Sequence, residues 1–135
     1  MICLDSNVVI AVLNRTTSRV EAHLRAAIDG GQSIALSSIV LFELCYGVTK
    51  SAQPERNADR IADFLAAPIE VLPFDAEDAR EAGDIRAELA RAGTPIGPYD
   101  VLIAAQARRR DAVLVTANAR EFTQVPGLRT EDWAM

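Results

Sequence analysis

The sequence has one lysine, Lys50, and one histidine, His23, in 135 residues. With 14 lysines and arginines against 19 acidic residues, the net charge of -5 argues against holding nucleic acid by bulk electrostatics, so any polyanion must be met locally. A single imidazole in a charged amphipathic stretch, read here as a surface residue, excludes paired-imidazole catalysis and leaves a Ser-His-Asp triad without a base. Two cysteines, Cys3 and Cys45, both inside apolar segments, are too few and too embedded for a disulfide framework or a thiolate metal site. No apolar run approaches the roughly eighteen residues of a membrane span, and no basic stretch followed by a long apolar one opens the chain. The expectation is a soluble, unexported protein of the reducing cytoplasm, with no membrane contact.

Half of the residues are apolar and 24% are charged, a balance that supports a buried core, and the length suggests one domain over residues 1–135. Short apolar runs at Ile2 to Leu4, Ile34 to Leu36, Ile69 to Leu72 and Val113 to Val115 alternate with amphipathic stretches of helical length. That rhythm predicts an α/β fold, with a central parallel sheet of four to five strands and helices on both faces. Helices are expected near Val8 to Leu13, Arg19 to Ile28, Val40 to Val48, Glu55 to Ala66, Ala76 to Ala92 and Tyr99 to Arg109. Gly93-Thr94-Pro95 and Gly97-Pro98 form a stiff break before the last of these, and a short edge strand is expected around Leu128 to Thr130.

Charge is distributed unevenly along this pattern. From Met1 to Asn14 the only charged side chain is Asp5, from Gly30 to Thr49 it is Glu43, and from Ala92 to Ala107 it is Asp100. An isolated charge in an apolar segment must be satisfied from outside that segment. Asp5, between the first strand and the first helix, lies at the carboxyl edge of a parallel sheet, where such folds place ligands, or else caps the helix. Asp100, in the first turn of a Gly-Pro-initiated helix, is open to the same two readings. Glu43 interrupts Ile39-Val40-Leu41-Phe42 and Leu44-Cys45-Tyr46; its alternative is an exposed glutamate.

Two carboxylates about 4 Å apart repel by roughly 4 kcal/mol at an effective dielectric near 20, so convergence raises a pKa or requires a cation. Oxygen ligands without His or Cys select Mg²⁺ or Mn²⁺, which remain able to bind phosphate, and a metal-activated water is the chemistry left open. After the fourth strand, Thr116, Asn118, Arg120 and Glu121 reach the same edge. Thr116 and Asn118 are candidates for orienting a water or a phosphate. Glu121 is either a fourth acid or part of a solvated turn. Arg86, Arg108 and Arg120 are candidates for flanking phosphates, each with the alternative of a solvated charge.

These residues carry a likeness. Leu4-Asp5-Ser6-Asn7, Phe42-Glu43-Leu44 with Gly47, Pro95-Ile96-Gly97-Pro98-Tyr99-Asp100 followed by Leu102-Ile103-Ala104-Ala105, and Leu114-Val115-Thr116 through Asn118 and Glu121-Phe122 resemble PIN-domain ribonucleases, specifically VapC-like toxins of bacterial toxin-antitoxin pairs. Val125-Pro126-Gly127-Leu128 and Glu131-Asp132-Trp133 resemble the tail of that branch, so the likeness spans nearly the whole chain. It implies a PIN-like three-layer fold and metal-dependent hydrolysis of RNA, of tRNA or another structured RNA. Asp5, Glu43 and Asp100 match the family's acidic positions for Mg²⁺ or Mn²⁺. Glu121, after Asn118, stands where an aspartate nearer the strand is usual, and Ser6 where threonine is common. The resemblance further implies a homodimer, a cognate antitoxin that covers the active site with a basic side chain, a larger toxin-antitoxin complex, and DNA contact only through the antitoxin.

Other readings lack their signatures. A phosphoaspartyl enzyme needs a second nearby acid and a late-strand lysine, and a dinucleotide-binding domain needs a glycine-rich turn after the first strand. A noncatalytic PIN-like interaction module, with the acids acting as helix caps, is the alternative from another class.

Overall fold

The structure is a computed structural model and describes residues 1–15 and 18–134. Five parallel strands, β1 (Ile2–Leu4), β2 (Ile34–Ser37), β3 (Ile69–Leu72), β4 (Val113–Val115) and β5 (Arg129–Glu131), form one sheet in the order β3-β2-β1-β4-β5. Every residue of β1 and β2 is buried, and neighbours along a strand point to opposite faces, so both faces are covered by helices. The edge strands β3 and β5 are partly exposed. The α/β expectation and the first four strands are borne out. The fifth lies one residue later than expected, because Leu128 closes the Pro126-Gly127 turn onto Val125 through its backbone N–H.

The helices are α1 (Ser6–Asn14), α2 (Ser18–Asp29), α3 (Ser38–Thr49), α4 (Pro54–Leu65), α5 (Ala76–Ala92), α6 (Pro98–Arg109) and α7 (Ala119–Phe122). The short α7 was not anticipated: it is a single turn, too short for periodicity to show. Among the described residues no helix is long and apolar enough to cross a membrane. Cys3 is buried in β1, but Cys45 is exposed, contrary to its apolar context, because α3 turns an apolar face outward. His23 is exposed as expected and stacks on Trp133, with ring centroids 5.5 Å apart.

The strand order gives the molecule its ligand-facing side. From β1 the chain steps outward through β2 to β3, then crosses to β4 and β5 on the opposite flank. The strand order therefore reverses between β1 and β4, and at such a point the loops leaving the carboxyl ends part and open a crevice. Leu4 is in register with Val115, and the Asp5 backbone N–H donates to Val115 O at 2.9 Å. The next residues on the two strands, Asp5 and Thr116, therefore emerge side by side.

A buried polar cluster sets the pose of α6, the helix that presents Asp100. Asp75 and Asp78 cap α5 reciprocally, and the Asp78 side chain is fully buried. Its carboxylate accepts from Arg109 Nε at 2.7 Å, a terminal nitrogen of Arg110 at 2.9 Å and Gln106 Nε2 at 3.2 Å, all at the far end of α6. Arg108 extends the clamp to Glu81 and Glu88 of α5, so it is occupied within the fold and is withdrawn as a phosphate contact. Gly93 ends α5 at φ 72°, a left-handed backbone that favours glycine, and turns the chain back toward α6. Burial pushes the Asp78 carboxyl up, but hydrogen bonds from Arg110, the Asp75 backbone and Arg109 outweigh it and hold the group well below the usual range. Its contribution to stability is therefore present above the ordinary aspartate pKa and is lost as the pH falls below it. Asp78→Ala leaves two arginines without their buried partner and is expected to cost about 3 kcal/mol in denaturant unfolding. A loss below about 1 kcal/mol would mean that α6 is held by its apolar face alone.

Candidate functional site

Each acid is placed by a different element. Asp5 is the N-cap of α1, and the capping expectation is met by one oxygen only: Oδ1 accepts from the Ser6 N–H at 2.8 Å. Its other oxygen, Oδ2, accepts from Thr116 Oγ1 at 2.8 Å. With 4% of its surface exposed, Asp5 is fixed at both oxygens. Glu43 lies in the second turn of α3, a helix that starts where β2 ends and is capped by Ser37, whose hydroxyl accepts from the Ile39 N–H at 2.9 Å. Asp100 sits in the first turn of α6, after the Gly97-Pro98 entry. Glu121, in α7, accepts from the Gly97 N–H at 3.0 Å and from the Asn118 side-chain amide.

The electrostatics bring these four groups into one neighbourhood. Burial, then the charges of Asp5, Glu121 and Glu43, and a hydrogen bond shared with Glu121 push Asp100 from an ordinary 3.8 up to about 7. Burial also raises Asp5, opposed by the Thr116 and Ser6 hydrogen bonds and assisted by the charge of Glu121. Glu43 is raised by burial and by the charge of Asp5, against a hydrogen bond from the Ser6 side chain. Ion pairs among the described residues lie elsewhere, chiefly between α5 and α6.

Thr116 and Asn118 have definite partners. The Thr116 hydroxyl is fully buried, donates to Asp5 and accepts from the Asn118 N–H at 2.9 Å, so it orients a carboxylate. Asn118 does the same for Glu121 through its side-chain amide. Two residues quoted in the sequence motifs without a site role belong to this framework. Asn7 Oδ1 accepts from the Ala117 N–H at 3.2 Å, tying the loop after β4 to α1. A Cβ built on Gly97 would stand 3.1 Å from Asp100 Oδ2, a tight approach, so the loop lies close against that carboxylate. The Gly-Pro pair read only as a helix start; its closeness to an acid depends on the turn geometry.

The donor set is made of oxygens alone, which suits a hard divalent cation. Glu43 Oε1 is buried with no hydrogen-bond partner, an unpaired acceptor that a cation would satisfy. Among the described residues no three acids are already arranged as ligands of one ion. Glu43 borders a cavity of about 240 Å³ with Ile10, Asn14 and Arg60, whereas a cavity of about 600 Å³ between α5 and α6 is lined by none of the four acids. Arg86 borders that cavity, and Arg120 is exposed on α7.

The raised Asp100 carries a stability consequence. Its folded-state pKa lies above its unfolded value, so the folded form keeps a proton that the unfolded chain has lost, and stability falls as pH rises from about 4 to about 7. Asp100→Asn removes this slope and is expected to raise the metal-free Tm at pH 8 by about 3 °C. Parallel Tm-versus-pH curves for parent and variant would show that Asp100 is not in the repelling cluster.

Comparison with known proteins gives a consistent result. The PIN-domain family profile matches residues 2–128. A Shigella flexneri protein named tRNA(fMet)-specific endonuclease VapC is 46% identical over 131 residues, covering 97% of this chain and 96% of that protein. The crystal structure of VapBC2 from Rickettsia felis, bound to a DNA fragment from their promoter, contains a chain of TM-score 0.92 at 37% identity, with 98% of this chain and 99% of that one covered. DNA-bound VapBC from Salmonella typhimurium contains another of TM-score 0.89 at 42% identity, covering 98% and 97%.

Proposed function

The chain belongs to the PIN-domain family, and on that premise we propose that it is a toxin ribonuclease that hydrolyses RNA with a divalent cation held by Asp5, Glu43 and Asp100, with Glu121 as a fourth acid. The observation that carries the reading is the gathering of acids at the β1/β4 crevice, with Asp100 pushed up to about 7 by burial and then by the charges of Asp5, Glu121 and Glu43. Groups that repel one another this strongly are stabilised together by a cation, and the orphaned Glu43 Oε1 offers it a ligand. Mg²⁺ or Mn²⁺, when bound, lowers the pKa of a water and offsets the charge of the phosphate.

The chain's own residues supply the positioning. Asp5 keeps one orientation because Ser6 and Thr116 occupy both its oxygens from the protein side. Burial, with the neighbouring charges of Asp5, Glu121 and Glu43, favours a proton on Asp100 near neutral pH. Asn118 and the Gly97 N–H hold Glu121 against the loop that carries Asp100. Because water is the nucleophile in this scheme, the ribose 2′-hydroxyl does not react.

A structured RNA such as tRNA is the proposed substrate class, supported by the name of the Shigella relative. A homodimer inhibited by a cognate antitoxin, which brings a basic side chain to the acids and makes any DNA contact, is supported by the VapBC complexes. The noncatalytic alternative, with acids serving only as caps, accounts for Asp5 Oδ1 but leaves the convergence of Glu43 and Asp100 unexplained.

The test is cleavage of RNA by antitoxin-free protein with Mg²⁺ or Mn²⁺. The products are expected to carry a 5′-phosphate and a 3′-hydroxyl, and Asp5→Asn and Asp100→Asn to abolish cleavage while remaining folded. A 2′,3′-cyclic phosphate end, or undiminished cleavage in excess EDTA, would overturn the mechanism. Gly97→Ala, which crowds Asp100 Oδ2, is expected to raise the Mg²⁺ concentration for half-maximal cleavage by about tenfold. An unchanged Mg²⁺ dependence would show that the loop yields without moving the carboxylate.

A further inference from the structure

Apart from Met1, the large apolar side chains exposed among the described residues are Ile10, Phe42, Tyr46 and Tyr99, all on α1, α3 and α6, the helices that carry or are capped by the three principal acids. Phe42 and Tyr99 immediately precede Glu43 and Asp100. They come from different helices, yet their rings meet edge to face with centroids 5.4 Å apart, while each side chain remains about half exposed, at 50% and 49%. Aromatic residues are only 5% of the chain, and the remaining four, Phe64, Phe74, Phe122 and Trp133, are buried or half-buried. One turn along α3 from Phe42, Tyr46 carries the ammonium of Lys50, the only lysine, 4.8 Å from its ring centre.

We propose that Phe42 and Tyr99 form a stacking platform for an unpaired base of the RNA beside the bond that is cut, with Tyr46 and Lys50 continuing the track along α3. The inference rests on the RNA hydrolysis proposed above. The ring pair joins α3 to α6, the helices that carry Glu43 and Asp100, so a base stacked on it lies at the junction of the two elements that present those acids. The base is the uncharged part of the nucleotide. It suits a surface bordered by carboxylates, whereas the phosphate falls to Lys50 and the cation. Aromatic faces accept any unstacked base, and single-stranded RNA is held by such stacking together with cations along its backbone, which in this chain of net charge -5 must be local, as Lys50 is beside Tyr46. A second copy is the poorer occupant, since an isologous contact over this patch sets Glu43 and Asp100 near the same acids of its partner.

The experiment uses a single-stranded oligoribonucleotide that the parent cuts at one mapped position, with an abasic ribose placed in turn at each nucleotide flanking the cut. At one of the two positions the parent is expected to lose about tenfold in kcat/KM. Tyr99→Leu and Phe42→Leu, exposed substitutions that leave Tm unchanged, are expected to lose a similar factor on the intact substrate, mainly through KM, and nothing further on the abasic one. Tyr99→Phe is expected to rescue the loss. Leucine variants that cleave as the parent does, or that lose a further tenfold on the abasic substrate, would overturn the platform. So would variants that only weaken self-association in sedimentation or binding of the antitoxin, because the patch would then be a protein contact. If the parent cuts no RNA with Mg²⁺ or Mn²⁺, the nuclease reading fails first, a result distinct from active leucine variants.

Discussion

Mutual repulsion among four carboxylates is the constraint around which this molecule is arranged. Left to themselves, Asp5, Glu43, Asp100 and Glu121 would separate, and Asp100, raised to about 7 by burial and then by the charges of the other three, reflects their being held together. The backbone prevents it. The β1/β4 register fixes Asp5 beside Thr116, the cap at Ser37 starts α3 toward Glu43, and the Gly97 turn brings Glu121 and Asp100 against the same loop.

The cost of that arrangement is offset away from the site. At the opposite end of α6, three consecutive arginines, Arg108, Arg109 and Arg110, are bound by acids of α5, with buried Asp78 accepting from two of them. The arginines at that end of α6 are thus spent on locking the helix pair and not on pairing with the acids at its start. One helix therefore carries attraction at its C-terminal end and repulsion at its N-terminal end, and the first holds the second in place.

The covering of the sheet follows a related division. Apolar side chains fill the two faces of the central strands, while the outward side of α3 and the start of α6 leave rings exposed around the acids. Exposed apolar surface next to a polar site marks contact with another molecule rather than a failure of packing.

The sequence by itself determined the layers. Four short apolar runs separated by helical periods dictate a parallel α/β sheet, since strands apolar on both faces must be covered on both, and the three isolated acids stood out because nothing in their own segments could satisfy them. What the sequence left open was decided by tertiary structure. Thr116 became a holder of Asp5 through strand register across 111 positions, Arg108 was taken by Glu81 and Glu88 from another helix, and Cys45 was turned outward with α3. Periodicity reports which residues share a face. It does not report which distant segment that face meets, and the partners of a polar side chain are chosen by that meeting. Gly97 shows the boundary most clearly: as a residue before Pro98 it signals a helix start, but its closeness to Asp100 exists only once the loop has folded back onto the carboxylate.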